Sequence, residues 1–209
     1  QMAESTMGEA LNKVCRLLRP LFEQLRLEVL KQHYLQADES TIKVQDSHKK
    51  GATHLGYFWA YHGPLIRAVV FDYLASRAKE GPNLFLQTFS GLLQTDGYKG
   101  YNDVAARTDV TMFACMAHAR RKFIEAEKND AQRSKQAVDM IRKLYKIESY
   151  CREENLSYEK RLEIRKQESK PIMDEFKQWL DENSGAGVPK SSIREAINYT
   201  LGLWPRLQR

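Results

Sequence analysis

The chain has 209 residues and a formal net charge of +6, enough length for one sizeable core plus a smaller appended unit, and a balance that favours a polyanionic partner. No apolar run reaches membrane-spanning length and no signal peptide opens the chain, so a membrane-embedded or secreted protein is not expected. Cys15, Cys115 and Cys151 form an odd, sparse set that reads as reduced thiols in a cytoplasmic protein, and a chain opening on Gln1 is expected to be a fragment.

Residues 4–34 read as a helix. Met7, Ala10, Leu11, Val14, Leu18, Leu21, Phe22, Leu25 and Val29 recur at helical spacing. Pro20 is expected to kink or split it, and the apolar stripe is expected to pack on the domain behind.

Residues 35–130 read as α/β. Alternation from Leu35 to Val44 gives a strand that places Asp38 on one face with Ile42 and Val44. Residues 46–51 form a polar turn, and the aromatic run from His54 to Tyr61 forms a second strand. His62-Gly63-Pro64 turns the chain into a third strand, Leu65 to Phe71. These short connections imply an antiparallel trio. Gly81-Pro82 opens a helix carrying Leu84, Phe85 and Phe89. An apolar strand then ends on Asp96, with Gly97 turning the chain. A short helix from Tyr98 to Ala106, a fifth strand from Val110 to Ala114 and a helix from Met116 follow. The expectation is a mixed five-stranded sheet flanked by helices, in the ribonuclease H-like order.

Residues 131–209 read as an all-helical insert leading into a final core helix. Ala137, Met140, Ile141, Leu144, Ile147 and Cys151 form one stripe; Ile172, Met173, Phe176, Trp179 and Leu180 form another. Pro171 is expected to separate two helices. After a loop over residues 185–189, Ile193, Ala196, Ile197, Thr200, Leu201 and Trp204 share one face of the last helix.

Asp38 and Asp96 are the residues that invite chemistry. A carboxylate at the end of a buried strand occupies a favoured position for a site in an open α/β sheet. Two such aspartates in a basic chain point to divalent metal acting on a phosphodiester. The competing reading of a strand-end aspartate is a turn or cap residue, and Asp96-Gly97 alone fits a turn as well as a ligand. Glu39 faces the other side of its strand and reads as structural. Along the helix after Met116, His118, Arg121, Lys122 and Glu125 share one side, either a solvated face or a contact with DNA phosphates. Arg120 lies nearer the apolar edge and reads as a brace for a buried acid. Arg77, Lys79, Lys49, Lys50 and Lys99 are further candidate contacts. Cys115 and His118 have the spacing of a zinc half-site, but no second pair stands near them in sequence. Tyr98 and Tyr101 read as core or groove wall.

Asp-Gly-Tyr-Lys-Gly-Tyr at 96–101, followed by Cys-Met-Ala-His-Ala-Arg-Arg-Lys-Phe at 115–123, resembles the central domain of bacterial transposases of the insertion sequence sixty-six family. Ala37-Asp38-Glu39-Ser40 resembles that family's aspartate-glutamate-threonine motif, with serine for threonine. Phe71-Asp72-Tyr73 with Ser76-Arg77, and Ala196 through Trp204, fit the intervening and final segments. The resemblance implies a catalytic core of the aspartate-aspartate-glutamate type in a bacterial cytoplasm. Such a core uses two Mg²⁺ or Mn²⁺ ions to cut and join DNA, within a homo-oligomeric complex on insertion-element ends and target DNA. Asp38 and Asp96 take the places of the first two metal ligands. The family's glutamate lies in a segment beyond the tryptophan helix, so a chain ending at Arg209 is expected to lack it. Glu195 is read instead as the third residue of a capping box started by Ser192, facing solvent. A DNA-binding or assembly fragment without activity, and a stand-alone nuclease on the same fold, are the other functions compatible with this sequence.

Overall fold

The computed structural model describes residues 4–46 and 51–209. The chain divides into two compact units, Gln1–Phe113 and Ala114–Arg209.

The first unit is built on five strands: β1 (Tyr34–Gln45), β2 (Thr53–Gly63), β3 (Ala68–Leu74), β4 (Gly91–Thr95) and β5 (Val110–Ala114). Their order across the sheet is β3-β2-β1-β4-β5. The first three pair antiparallel, and β1 pairs parallel with β4. This is the mixed five-stranded sheet that the sequence pattern implied, and it is consistent with a ribonuclease H-like fold. Period-two alternation decides which side chains go inward. Leu35 and Ala37 of β1, Trp59 and Tyr61 of β2, Val70 of β3 and Leu93 of β4 are all buried in one core.

Helical segments supply the rest of that core. Helix α1 (Glu4–Leu30) contributes Val29 and Leu30 from its last turn. Helix α2 (Glu80–Phe85) and the turn after it bring Phe85, Leu86 and Phe89. A 3₁₀ turn (Lys99–Tyr101) running into α3 (Asn102–Ala105) brings Tyr101 and Val104. Tyr61 stacks on Phe85 with centroids 3.6 Å apart, and Trp59 meets Tyr101 edge-on at 5.8 Å. Each fully buried large apolar side chain contributes roughly 1.5–3 kcal/mol.

Three local expectations are corrected here. Pro20 does not split α1, which is one continuous 27-residue helix; the missing N–H removes a single bond on an exposed stretch. The apolar stripe of α1 does not pack along its length, since Met7, Leu11, Val14, Leu18 and Leu21 are all exposed. Strand β3 starts at Ala68 rather than Leu65. Arg67 adopts a left-handed φ of 52° and donates its N–H to the Pro64 carbonyl, so Leu65 and Ile66 belong to an exposed turn.

The second unit is helical: α4 (Met116–Glu125), α5 (Ala131–Glu153), α6 (Tyr158–Ile164), α7 (Lys170–Glu182) and α8 (Ser192–Leu207). Its core draws on Phe123 of α4, Ile141 of α5, Phe176 and Leu180 of α7, and Ile197 and Trp204 of α8. Asp130 caps α5 by accepting the Arg133 N–H, and Ser157 caps α6 by accepting that of Lys160. Pro171 stands in the first turn of α7, where its missing N–H costs no helical bond, and a π-helical turn, Arg165–Ser169, joins α6 to α7. The N-cap of α8 is Ser191 rather than Ser192, which puts Glu195 one position too far along for a capping box. Glu195 is exposed, as its position opposite the apolar stripe required.

Candidate metal and nucleic-acid site

The register between β1 and β4 organises the first unit's polar face. Tyr34 pairs with Leu92 and Gln36 with Gln94. Asp38 and Asp96 each stand two residues beyond the last pair of this ladder, Asp38 still within β1 and Asp96 just past the end of β4. Strand alternation places them opposite the face that buries Leu35, Ala37, Leu93 and Thr95. The polar side is already hydrogen-bonded one step below the aspartates. Gln36 Nε2 donates to Gln94 Oε1 at 2.8 Å, Tyr34 donates its hydroxyl to the same oxygen at 2.7 Å, and His62 Nδ1 lies 2.9 Å from Gln36 Oε1.

Asp38 is exposed and Asp96 half-buried. Asp38 Oδ1 accepts the Glu39 N–H at 2.9 Å, and Asp96 Oδ1 accepts the Tyr98 N–H at 2.8 Å. The second contact is an Asx turn, completed by Gly97 at φ 87° and by the Gly97 N–H reaching Thr95 Oγ1. Asp96 therefore serves the turn, and a carboxylate with two oxygens retains acceptor capacity beyond that one bond. The donor set matches a hard divalent cation in kind, because both groups are carboxylates. In number it amounts to two: among the described residues no group of three or more His, Cys, Asp or Glu is arranged to hold a metal ion.

Glu39, next along β1, turns under the sheet opposite Trp59. Burial pushes its carboxyl above the ordinary range, the Arg77 hydrogen bond opposes this, and the charges of Asp96 and Asp38 push it further up. Tyr101 shows the same field. Its phenol is raised first by burial, then by Tyr61, Glu39, Asp96 and Asp38. Arg77, a candidate DNA contact by sequence, is engaged within the unit, where Nε donates to Glu39 Oε1 at 2.7 Å. Lys99 is exposed at the 3₁₀ turn, and Lys79 pairs with Asp103 at 3.0 Å. Lys49 and Lys50 lie outside the described residues, as does most of the polar turn that holds them.

In the second unit, α4 buries Ala119 and Phe123 and leaves Arg121 exposed. Lys122 sits with its ammonium 5.0 Å from the centre of the Tyr199 ring. His118 is half-buried. Burial pushes the Cys115 thiol up, but hydrogen bonds from the His118 side chain and from the His118 and Ala117 backbone outweigh it and bring the thiol below its ordinary value. The Cys-x-x-His spacing is thus used for a local contact between the two side chains. Arg120 lies near the Tyr145 phenol, whose ionisation it favours against the effect of burial.

Comparison with known proteins places the chain in a family. A family model described as Transposase IS66 family matches residues 1–209. Uncharacterized proteins y4hP and y4jD of Sinorhizobium fredii (strain NBRC 101917 / NGR234) are each 29% identical over 97% of the chain, and y4qI of the same organism is 25% identical over all of it. The chain covers 40%, 42% and 41% of the lengths of these three relatives. The chain belongs to the IS66 transposase family, a class of DNA-processing proteins. Among the described residues no helix is long and apolar enough to cross a membrane.

Proposed function

We propose that the chain is catalytic-core sequence of a DNA transposase, which cleaves and joins phosphodiesters at insertion-element ends with divalent metal. The observation that supports this reading is the parallel pairing of β1 with β4, which ends at Gln36 and Gln94, two residues before Asp38 and Asp96 respectively. In it, Asp38 and Asp96 hold Mg²⁺ or Mn²⁺. Such ions, when bound, activate an attacking oxygen and stabilise a leaving one. The chain's own groups then do the rest. Tyr98 N–H and Gly97 fix the Asp96 turn; Lys99 in the first unit, and separately His118, Arg121 and Lys122 in the second, meet DNA phosphates. The working protein is a cytoplasmic homo-oligomer on DNA.

Two carboxylates hold Mg²⁺ loosely unless substrate phosphates add ligands. Residues 1–209 are therefore expected to bind Mn²⁺ weakly, more tightly with DNA, and to leave DNA uncut. The test is Mn²⁺-induced broadening of backbone amide signals. Broadening should centre on residues 38 and 96–98 and disappear in Asp38→Asn and Asp96→Asn. Broadening spread evenly over surface carboxylates, or persisting in both variants, would overturn the assignment. Strand cleavage by residues 1–209 that vanishes in Glu195→Gln would make Glu195 a ligand.

A further inference from the structure

We propose that Arg77 is a positioning residue for the Asp38–Asp96 pair, an inference that rests on reading that pair as metal-holding. The backbone ladder between β1 and β4 ends at Gln36 and Gln94, before either aspartate is reached. Asp96 lies in the turn after β4, so ladder hydrogen bonds no longer fix its level against Asp38. A side-chain circuit closes the gap. Glu39 follows Asp38 in β1 and accepts from Arg77 through both Nε, at 2.7 Å, and Nη2. The guanidinium lies over the Tyr98 ring, 3.9 Å from its centre. Tyr98 donates its hydroxyl to the Arg77 carbonyl at 2.6 Å and its backbone N–H to Asp96 Oδ1 at 2.8 Å. The circuit thus runs from one aspartate to the other through Glu39, Arg77 and Tyr98.

Each member suits this task. The Glu39 side chain is only 4% exposed, and its Oε2 is buried without a hydrogen-bond partner. Arg77 is thus the group that compensates a carboxylate otherwise expensive to bury. A guanidinium is flat enough to stack on Tyr98 and forked enough to hold Glu39 at once; a lysine ammonium does neither. Groups that orient metal-holding side chains commonly alter metal affinity by about 10–100-fold when removed.

Electrostatics and positioning predict opposite signs. Arg77 is a cation close enough to Asp96 for that charge to favour its own protonated form. If Arg77 acted only through its charge, Arg77→Gln would tighten Mn²⁺ binding by removing a repelling neighbour. If it positions the aspartates, the same change weakens binding. Mn²⁺ affinity of residues 1–209 is measured by titration, with amide exchange at Tyr98 followed by NMR in the same samples. Arg77→Gln is expected to weaken Mn²⁺ binding on the order of tenfold and to speed Tyr98 exchange. Arg77→Lys should restore neither. A merely structural role would lower the unfolding midpoint and leave affinity in the folded protein alone. Unchanged or tighter Mn²⁺ binding in Arg77→Gln, with loss in Asp96→Asn, overturns the inference and leaves the metal reading standing. Wild-type protein with no Mn²⁺ response sensitive to Asp38→Asn or Asp96→Asn overturns both. Should Arg77→Gln fail to fold, Tyr98→Phe replaces it, since it deletes only the hydroxyl bond to the Arg77 carbonyl. Wild-type Mn²⁺ affinity and Tyr98-position exchange in that variant would then overturn the inference.

Discussion

Replacing Phe176 with alanine tests the architecture of the helical unit. The ring is fully buried and contacts three other aromatics: Phe123 at 6.1 Å, Trp179 at 6.1 Å and Trp204 at 5.7 Å between centroids. These neighbours come from α4, α7 and α8, so one side chain joins three helices. Truncating a buried phenylalanine costs about 3–5 kcal/mol, of which the edge-on and stacked ring contacts are a part. A unit of about a hundred residues has roughly 5–15 kcal/mol in total. The substitution should therefore remove roughly a fifth or more of the stability. Guanidinium unfolding followed by tryptophan fluorescence reads this directly, because Trp179 and Trp204 adjoin the site. Phe58→Ala is the contrast. Phe58 is 37% exposed and meets Phe71 and Tyr73 edge-on, so its truncation should cost on the order of 1 kcal/mol. Equal losses for the two variants would refute the assignment of Phe176 as the organising side chain of this core.

Salt dependence tests the α4 face: Arg121→Ala with Lys122→Ala should flatten the slope of log affinity for DNA against log salt, by about 0.9 for each phosphate that is no longer neutralised. An unchanged slope would show that this face is solvated only. Acid unfolding should depend on Glu148, whose carboxyl lies below its ordinary value of 4.5 chiefly through its hydrogen bond to Arg165. A lowered folded-state pKa contributes stability that is present above the unfolded value and lost as pH falls through the folded one. Glu148→Gln should therefore reduce the stability difference between pH 6 and pH 3, roughly the window bracketing a carboxylate that titrates low, and an identical pH profile would refute it. Gly91→Ala should be strongly destabilising, since Gly91 has φ 128° and an added Cβ would come within 2.5 Å of the His33 carbonyl oxygen. That carbonyl accepts the Leu92 N–H at the first step of the β1–β4 ladder. Thermal unfolding like wild type in Gly91→Ala would show that this approach does not set the register.

The sheet was legible because its strands carry a period-two pattern strong enough to survive imprecise ends. Leu35, Ala37, Trp59 and Tyr61 announce an inward face, and the short loops among β1, β2 and β3 permit only antiparallel neighbours. The helical stripes of α5, α7 and α8 were legible for the same reason, at a period of 3.6. What failed to show was set by backbone detail that hydropathy does not encode. The left-handed Arg67 lengthened a turn, and a π-helical turn, rather than a loop, joins α6 to α7 ahead of Pro171. The adjacency of the strands that lead to Asp38 and Asp96 was legible from the strand order. The Glu39–Arg77–Tyr98 circuit was not, because Arg77 lies 38 residues from Glu39 and looks like any exposed cation. One signal pointed toward it: Glu39 falls on the inward face of β1, and an inward carboxylate requires a cation from somewhere in the chain.

Adjacent acids in β1 receive different tasks from pleat geometry alone. Successive side chains leave a strand on opposite faces, so Asp38 reaches the polar side while Glu39 turns toward Trp59 and Arg77. A slip of one residue would exchange them, placing a short aspartate where Arg77 waits and a glutamate beside Asp96. Neither exchange is neutral. Aspartate is one methylene shorter, so Arg77 would lose its inward partner or its seat on Tyr98. Glutamate on the polar side adds a rotatable bond to a group whose usefulness depends on a fixed level against Asp96. Registry is held against that slip at both edges of β1: on one side by the antiparallel pairing that runs from Gln36–His62 to Gln45–Thr53, on the other by the parallel pairing that begins where Leu92 meets the His33 carbonyl. The same alternation that buries Leu35 and Ala37 therefore sorts the two acids, so one register sets both the packing of β1 and the face from which Asp38 leaves it.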